Sequence, residues 1–289
     1  MIRSFFRRLW RLITTPFRWI ARPFLKLRDF LNYEPEDLPI ADVFSRTIED
    51  PSLLIDHLEA LRRHLLRSIV VLILAVLAST LFAKQALEWL AGPIGGLDQL
   101  QAIEVTESIG VFMRVSLLAG FVIALPYIMI EIFAFLNPGL RRRERILLLT
   151  AIPAATILFL LGIAFTYFIL LTPAIDFLLH FMDINAAIRP ANYIQFVTGL
   201  MFWIGVAFQF PLIIYALAGL GIVNAKALLH GWRFAILGIA VLAAAVTPTI
   251  DPINMGLVML PMIFLYFISI GLAAIAGRGR KQKAQSDSD

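Results

Sequence analysis

The sequence predicts an all-α, polytopic membrane protein: six transmembrane helices in a concave, cup-like array, with both termini cytoplasmic. Three observations carry this. Of 289 residues, 60% are hydrophobic and the mean hydropathy is +0.84, whereas a soluble domain is nearer half apolar. Apolar runs of about 20 residues follow one another, each long enough to cross roughly 30 Å of hydrocarbon. The connections between runs place 22 of the 25 Lys and Arg on one side, which the positive-inside bias makes cytoplasmic. The runs lack the alternation of a barrel, and an open sheet would leave backbone groups unsatisfied in lipid.

The net charge of +5 and pI of about 9.7 fit that cytoplasmic bias and imply no nucleic-acid partner. The chain has no cysteine, so disulfides and thiolate metal sites are excluded. It carries no His pair at metal-ligand spacing, no G-x-S-x-G and no Walker-type loop. The pattern is not that of an enzyme, and His57, His64, His180 and His230 read as solvated or interfacial side chains near span ends.

Residues 1–51 read as a basic amphipathic arm and polar linker. Phe6, Trp10, Ile13, Phe17, Ile20, Phe24 and Leu27 recur at steps of four and three, with Arg7, Arg11, Arg18 and Arg22 off that stripe. This is the pattern of a helix lying on anionic lipid, broken by Pro16 and Pro23. An organellar targeting peptide is the alternative, because the first acidic residue is Asp29; no cleavable signal peptide is visible.

The membrane domain is expected over 52–276. Its first helix begins near Ser52 and enters the bilayer as Leu65–Ala83. An acidic extramembrane segment follows, with a short interfacial helix at 86–90 stopped by Gly92 and Pro93. The second span is Ile109–Leu136. The loop Asn137–Arg145 then puts four arginines around one carboxylate, Glu144. The third span is Ile146–Leu171 and the fourth Tyr193–Ala218. The fifth, Phe234–Val246, rises only about 20 Å, short enough to require local membrane thinning and a concave array rather than a closed pore. The sixth is Ile253–Ala276, followed by a solvated tail over 277–289.

Polar groups inside apolar runs need a reason, since a charge at mid-span costs about 2.5–3.5 kcal/mol. Arg114 is one turn from a span end and can snorkel. Gln209, two residues before Pro211, suits a helix–helix hydrogen bond. Glu131 is too short to snorkel far. It shares a helix face with Phe135, and Glu144 lies just beyond. Carboxylates beside an aromatic wall suit an arginine-bearing peptide, whereas Glu144 also balances its neighbours Arg141 and Arg145.

These residues resemble the TatC family, the six-span receptor subunit of the twin-arginine protein translocase, over about residues 52–275. The likeness rests on the order and spacing of several motifs. They are His57-Leu58-x-x-Leu61-Arg62, Gly92-Pro93, Thr106-Glu107 with Arg114 seven residues on, and Phe135-x-x-Pro138-x-Leu140-x-x-x-Glu144-Arg145. Gly205-Val206-x-Phe208-Gln209-x-Pro211 and Thr247-Pro248 with Asp251 complete the set. The resemblance implies binding of the Arg-Arg signal peptide of folded export substrates, with Glu144 central and Phe135 and Arg145 nearby. It implies a multi-pass protein of the inner membrane and single-span TatA-like and TatB-like partners. It also implies a hetero-oligomer with several copies of the receptor, a proton-motive-force drive, and no cofactor.

One departure concerns recognition. The family commonly has a second carboxylate where this chain has Ala60. Glu59 is acidic instead and is expected to join Glu131 and Glu144 in binding the signal peptide, but one residue is about 100° around a helix, so it is not a simple replacement. Glu131 is expected to supply the missing charge. The competing readings are a small-solute secondary transporter, which needs inverted repeats around a midplane site, and a non-binding paralogue acting as scaffold.

Overall fold

A computed structural model describes residues 51–136, 142–180, 187–247 and 252–286. It is helical throughout, with one isolated β-bridge between Leu100 and Ile188 among the described residues. Five stretches are long and apolar enough to cross a membrane: His57–Ile94, Glu107–Phe135, Ala151–Leu179, Pro190–Gly219 and Pro252–Gly277. A sixth apolar helix, Trp232–Val246, is shorter. The N-terminal arm lies outside the described residues, as do Asn137–Arg141 with Pro138 and the turn holding Asp251.

Helix α1 (Pro51–Ser79) leads through a 3-10 turn, Thr80–Phe82, into α2 (Ala83–Leu90). The short expected helix at 86–90 thus starts three residues earlier and follows the span directly. α2 buries Ala83 and Leu90, and Gly92–Ile94 and Leu97–Gln99 continue as 3-10 turns. Gly95 and Gly96 adopt positive φ there, at 91° and 113°; a side chain at either position would be strained.

Helix α3 (Glu107–Leu136) packs along α1. The contact is close because Gly120 has no side chain: a Cβ there would lie 2.6 Å from the Val76 backbone. Away from α3, α1 exposes Leu65, Leu66, Ile69, Val70, Ile73, Leu74 and Leu77. A contiguous apolar face of that length is what lipid covers.

Helix α4 (Arg142–Phe165) passes through a π-turn, Thr166–Leu170, into α5 (Leu171–His180). The third helical run therefore extends nine residues past the expected end at Leu171. The hydroxyl of Thr166 donates to the Gly162 carbonyl at 2.8 Å, next to the backbone irregularity.

The expected fourth span is two helices, α6 (Pro190–Ala207) and α7 (Phe210–Leu220), separated at Phe208–Gln209. Pro211 explains the break: it has no N–H for the Ala207 carbonyl. The Gln209 N–H instead reaches Val206 O at 2.9 Å. Its side-chain amide donates to Ala155 O of α4 at 3.0 Å, so the expected helix–helix bond is present. Gly162 and Gly205 let α4 and α6 touch backbone to backbone; a Cβ on Gly162 would sit 2.8 Å from the Gly205 Cα.

Asn224 caps α8 (Ala225–His230) by accepting from the Ala227 N–H at 2.7 Å, as a short polar side chain does at an N-terminus. α9 (Trp232–Val246) and α10 (Pro252–Ser286) close the fold. α10 packs on α7 and α9 and stays helical into the tail that begins at residue 277. The main core gathers Val115, Leu171, Ile194, Val197, Met201 and Ile204 from α3, α5 and α6.

Candidate functional site

Two carboxylates are buried among the described residues, Glu131 and Glu107, and they lie toward opposite ends of α3. The first lies toward the C-terminal end of α3. On α1, His57, Ala60, His64 and Arg67 follow at steps of three and four, so they share one face. On α3, Tyr127, Glu131 and Phe135 do the same at steps of four. The two faces meet. The Phe135 ring lies 4.5 Å from the His57 ring and 6.2 Å from the His64 ring.

Beneath Phe135, Glu131 is 3% exposed and both its oxygens are engaged. The Tyr127 hydroxyl donates to Oε1 at 2.6 Å. Nδ1 of His64 lies 2.5 Å from Oε2; a carboxylate only accepts, so Nδ1–H donates. A guanidinium nitrogen of Arg67 approaches Oε2 at 3.9 Å. Ala60 lies between His57 and His64 on this face, so Glu131 brings a carboxylate from α3 to the face that bears Ala60. Glu59 is exposed, and its carbonyl accepts from Arg63 Nε at 3.4 Å.

His64 corrects the reading of the histidines as merely solvated or interfacial: it is the hydrogen-bond partner of a buried carboxylate. Sequence patterning missed it because the two groups sit 67 residues apart on different helices. The available signal was that a buried carboxylate needs a partner. The chain leaves α3 at Leu136 and re-enters helix at Arg142, placing Glu144 and Arg145 in the first turn of α4. The side chains of Glu144 and Arg145 lie outside the described set.

The second cluster lies at the start of α3. Glu107 is 5% exposed. Nε of Arg189, just before α6, donates to Glu107 Oε1 at 2.9 Å, and its NH2 group donates both to that oxygen and to Glu104 Oε1, the latter at 3.0 Å. These bonds, with Glu107 the larger cause, hold the Arg189 proton above its ordinary value. Beside the cluster the Gln101 N–H donates to Ile188 O at 3.0 Å. Tyr167 stacks on Trp89 at 3.7 Å and donates to the Trp89 carbonyl at 2.8 Å, while Tyr193 donates to Leu90 O at 2.7 Å. Pro93 is half-buried in the adjoining 3-10 turn. Arg114 is exposed on α3, in keeping with snorkelling. This end is a clamp between two connections rather than a cleft.

Comparison with known proteins gives one consistent result. The family model described as "TatC: Sec-independent protein translocase protein (TatC)" matches residues 56–261. The Synechocystis "Sec-independent protein translocase protein TatC" is 34% identical over 252 residues, covering 86% of this chain and 94% of that one. The chloroplastic protein of Arabidopsis thaliana, similarly described, is 32% identical over 255 residues, covering 86% and 72%. A solved structure, "Crystal Structure of Twin Arginine Translocase Receptor- TatC", superposes with a TM-score of 0.69 at 30% identity, covering 76% of this chain and 99% of that chain.

Proposed function

This chain belongs to the TatC family of Sec-independent protein translocase proteins, and from that premise we propose how it works as the receptor subunit of a twin-arginine translocase. It is a translocation component and not an enzyme. The Arg-Arg signal peptide of a folded passenger binds at the C-terminal end of α3, where it packs on α1 and the chain goes on to α4. Glu144 and Glu131 supply the charge, and Phe135 forms the wall. Guanidinium is selected over ammonium because its planar fork meets a carboxylate through two parallel bonds. Each hydrogen bond to a charged group contributes about 1.5–3 kcal/mol.

The observation that carries this reading is the placement of Glu131 and Phe135 on the face of α1 that bears Ala60. Six spans, with α9 as the short fifth, and cytoplasmic termini agree with the distribution of Lys and Arg. The protein then lies in the inner membrane with TatA-like and TatB-like subunits and several copies of itself. Its basic arm rests on anionic lipid, and the proton motive force drives transport. The interruption between α6 and α7 is the feature a solute-transporter reading would use. The groove beside it, about 810 Å³, is lined by Leu158, Phe165, Phe208, Pro211, Pro261 and other side chains that are apolar except for Tyr215. That groove offers little to a polar solute.

The test is photo-crosslinking from a photoreactive residue placed in the signal peptide beside its Arg-Arg or Lys-Lys pair, to the wild-type protein and to E144Q. The Arg-Arg peptide should be captured preferentially by the wild type, with that preference lost in E144Q and kept in E59Q. Equal capture of both peptides by the wild type would rule the receptor reading out.

A further inference from the structure

We infer that His64 is a built-in competitor for Glu131: it donates to the carboxylate and must be displaced when a peptide guanidinium binds there. The inference rests on the receptor reading above and deepens it. Three observations lead to it. The Glu131 side chain is only 4% exposed, whereas those of His64 and Arg67 are 21% and 40% exposed. Both side chains are thus more exposed than the carboxylate they flank. A guanidinium arriving from solvent meets them before it meets Glu131.

The lone-pair inventory points the same way. A carboxylate offers about four acceptor sites, and a guanidinium fork takes one on each oxygen. Tyr127 holds Oε1 from within the same helix, one turn back and buried. That bond can persist while the remaining site on Oε1 accepts the fork. On Oε2 the obstacle is access rather than valence: His64 sits on it at 2.5 Å, a guanidinium nitrogen of Arg67 lies 3.9 Å away, and both side chains are more exposed than the carboxylate. Of the groups around Glu131, His64 is the one that a fork must replace.

Phe135 couples this exchange to the wall of the site. Its ring meets the edge of His64 and lies against His57. Withdrawal of His64 frees part of that ring for the aliphatic stem of the incoming arginine. His64 is thus a positioning residue. It holds Glu131 in one rotamer with Oε2 hydrogen-bonded in the apolar interior, and it sets a threshold that a weaker ligand, such as a lysine pair, does not pass. A lysine ammonium is a point charge without the fork, so it gains less from the exchange.

The test uses the full-length protein in lipid nanodiscs and titration with fluorescent Arg-Arg and Lys-Lys signal peptides. H64A should bind the Arg-Arg peptide about tenfold more tightly, the equivalent of one charged hydrogen bond no longer broken on binding. It should also narrow the preference over Lys-Lys. In an E131Q background the same change should give no gain. A merely structural histidine would lower affinity or leave it unchanged in both backgrounds. A second measurement needs no variant. Histidine nitrogen resonances of the wild-type protein should show His64, assigned with H64Q, losing its hydrogen-bonded Nδ1 signal on saturation with Arg-Arg peptide and keeping it with Lys-Lys. An unchanged His64 signal at saturation overturns the inference. E144Q separates the two levels. If it abolishes Arg-Arg preference while H64A does nothing, the receptor reading stands and the competitor fails; if wild type shows no Arg-Arg preference, both fail.

Discussion

At the scale of single residues, the fold depends on carboxylates that lipid and packing have removed from water. Glu107 is held by Arg189, whose own side chain is 34% exposed, so the pair is half-sheltered. Removing the arginine leaves a buried acid without its donor, and that asymmetry decides the outcome. R189A should lower the unfolding temperature. E107Q should cost less, because an amide tolerates burial without a cation. Thermal unfolding in detergent checks the order; R189A no worse than E107Q would contradict it. Glu131 was legible in the sequence as a misplaced charge, and so was its shared face with Phe135. Its partner was not. Neither the His64–Glu131 nor the Glu107–Arg189 contact leaves a periodic trace, since each joins distant helices or loops. Ala60 marked where a carboxylate was missing, and only the packing of α3 on α1 shows which residue reaches that face.

At the scale of helices, apolar length was the readable quantity and internal irregularity was not. The runs near 109–136 and 253–276 match α3 and α10 within two residues at their starts, because a span must satisfy its own backbone. The break at Phe208–Gln209 had a signal in Pro211, whose missing N–H was visible, but a proline in a span does not say whether the helix bends or stops. The π-turn at Thr166–Leu170 had no comparable signal. What sequence periodicity also hides is which glycines are contacts. Gly110 and Gly199 have open space around the missing Cβ, whereas Gly120 would drive one into the Val76 backbone. Gly120→Val should therefore separate α1 from α3 and remove His64 from Glu131, at a cost of about 1–3 kcal/mol for an overpacked contact. Gly199→Ala should be nearly silent. Disulfide trapping between cysteines placed on α1 and α3 reads this directly, and the natural chain has none to interfere. Equal trapping in both variants would mean that the close approach at Gly120 is not what seats α1.

At the scale of the whole molecule, the helices divide by what they pack against. α1 touches mainly α3 and turns a long leucine and isoleucine face outward, whereas α6 is surrounded by α3, α4 and α10. Long apolar faces thus stay uncovered within this chain, as in a multi-pass membrane protein, so the bilayer's own dimensions enter its stability. α9 sharpens this. Its 15 residues rise about 22 Å, some 8 Å less than an average hydrocarbon core. Phe234, Leu237, Val241 and Leu242 are exposed on it, and in the proposed six-span topology it is the short fifth span. A short span is accommodated by thinning the bilayer around it, at fractions of a kcal/mol per ångström. The cost over α9 then amounts to roughly 2–3 kcal/mol in a bilayer of ordinary thickness, and more in a thicker one. Reconstituted into phosphatidylcholine of increasing chain length, the protein should unfold at progressively lower temperature. The loss should shrink when α9 is lengthened by one apolar turn inserted after Val241. A melting temperature that ignores chain length, or a lengthened α9 that brings no recovery, would show that α9 is not seated across the full bilayer and that its shortness sets no constraint on the membrane.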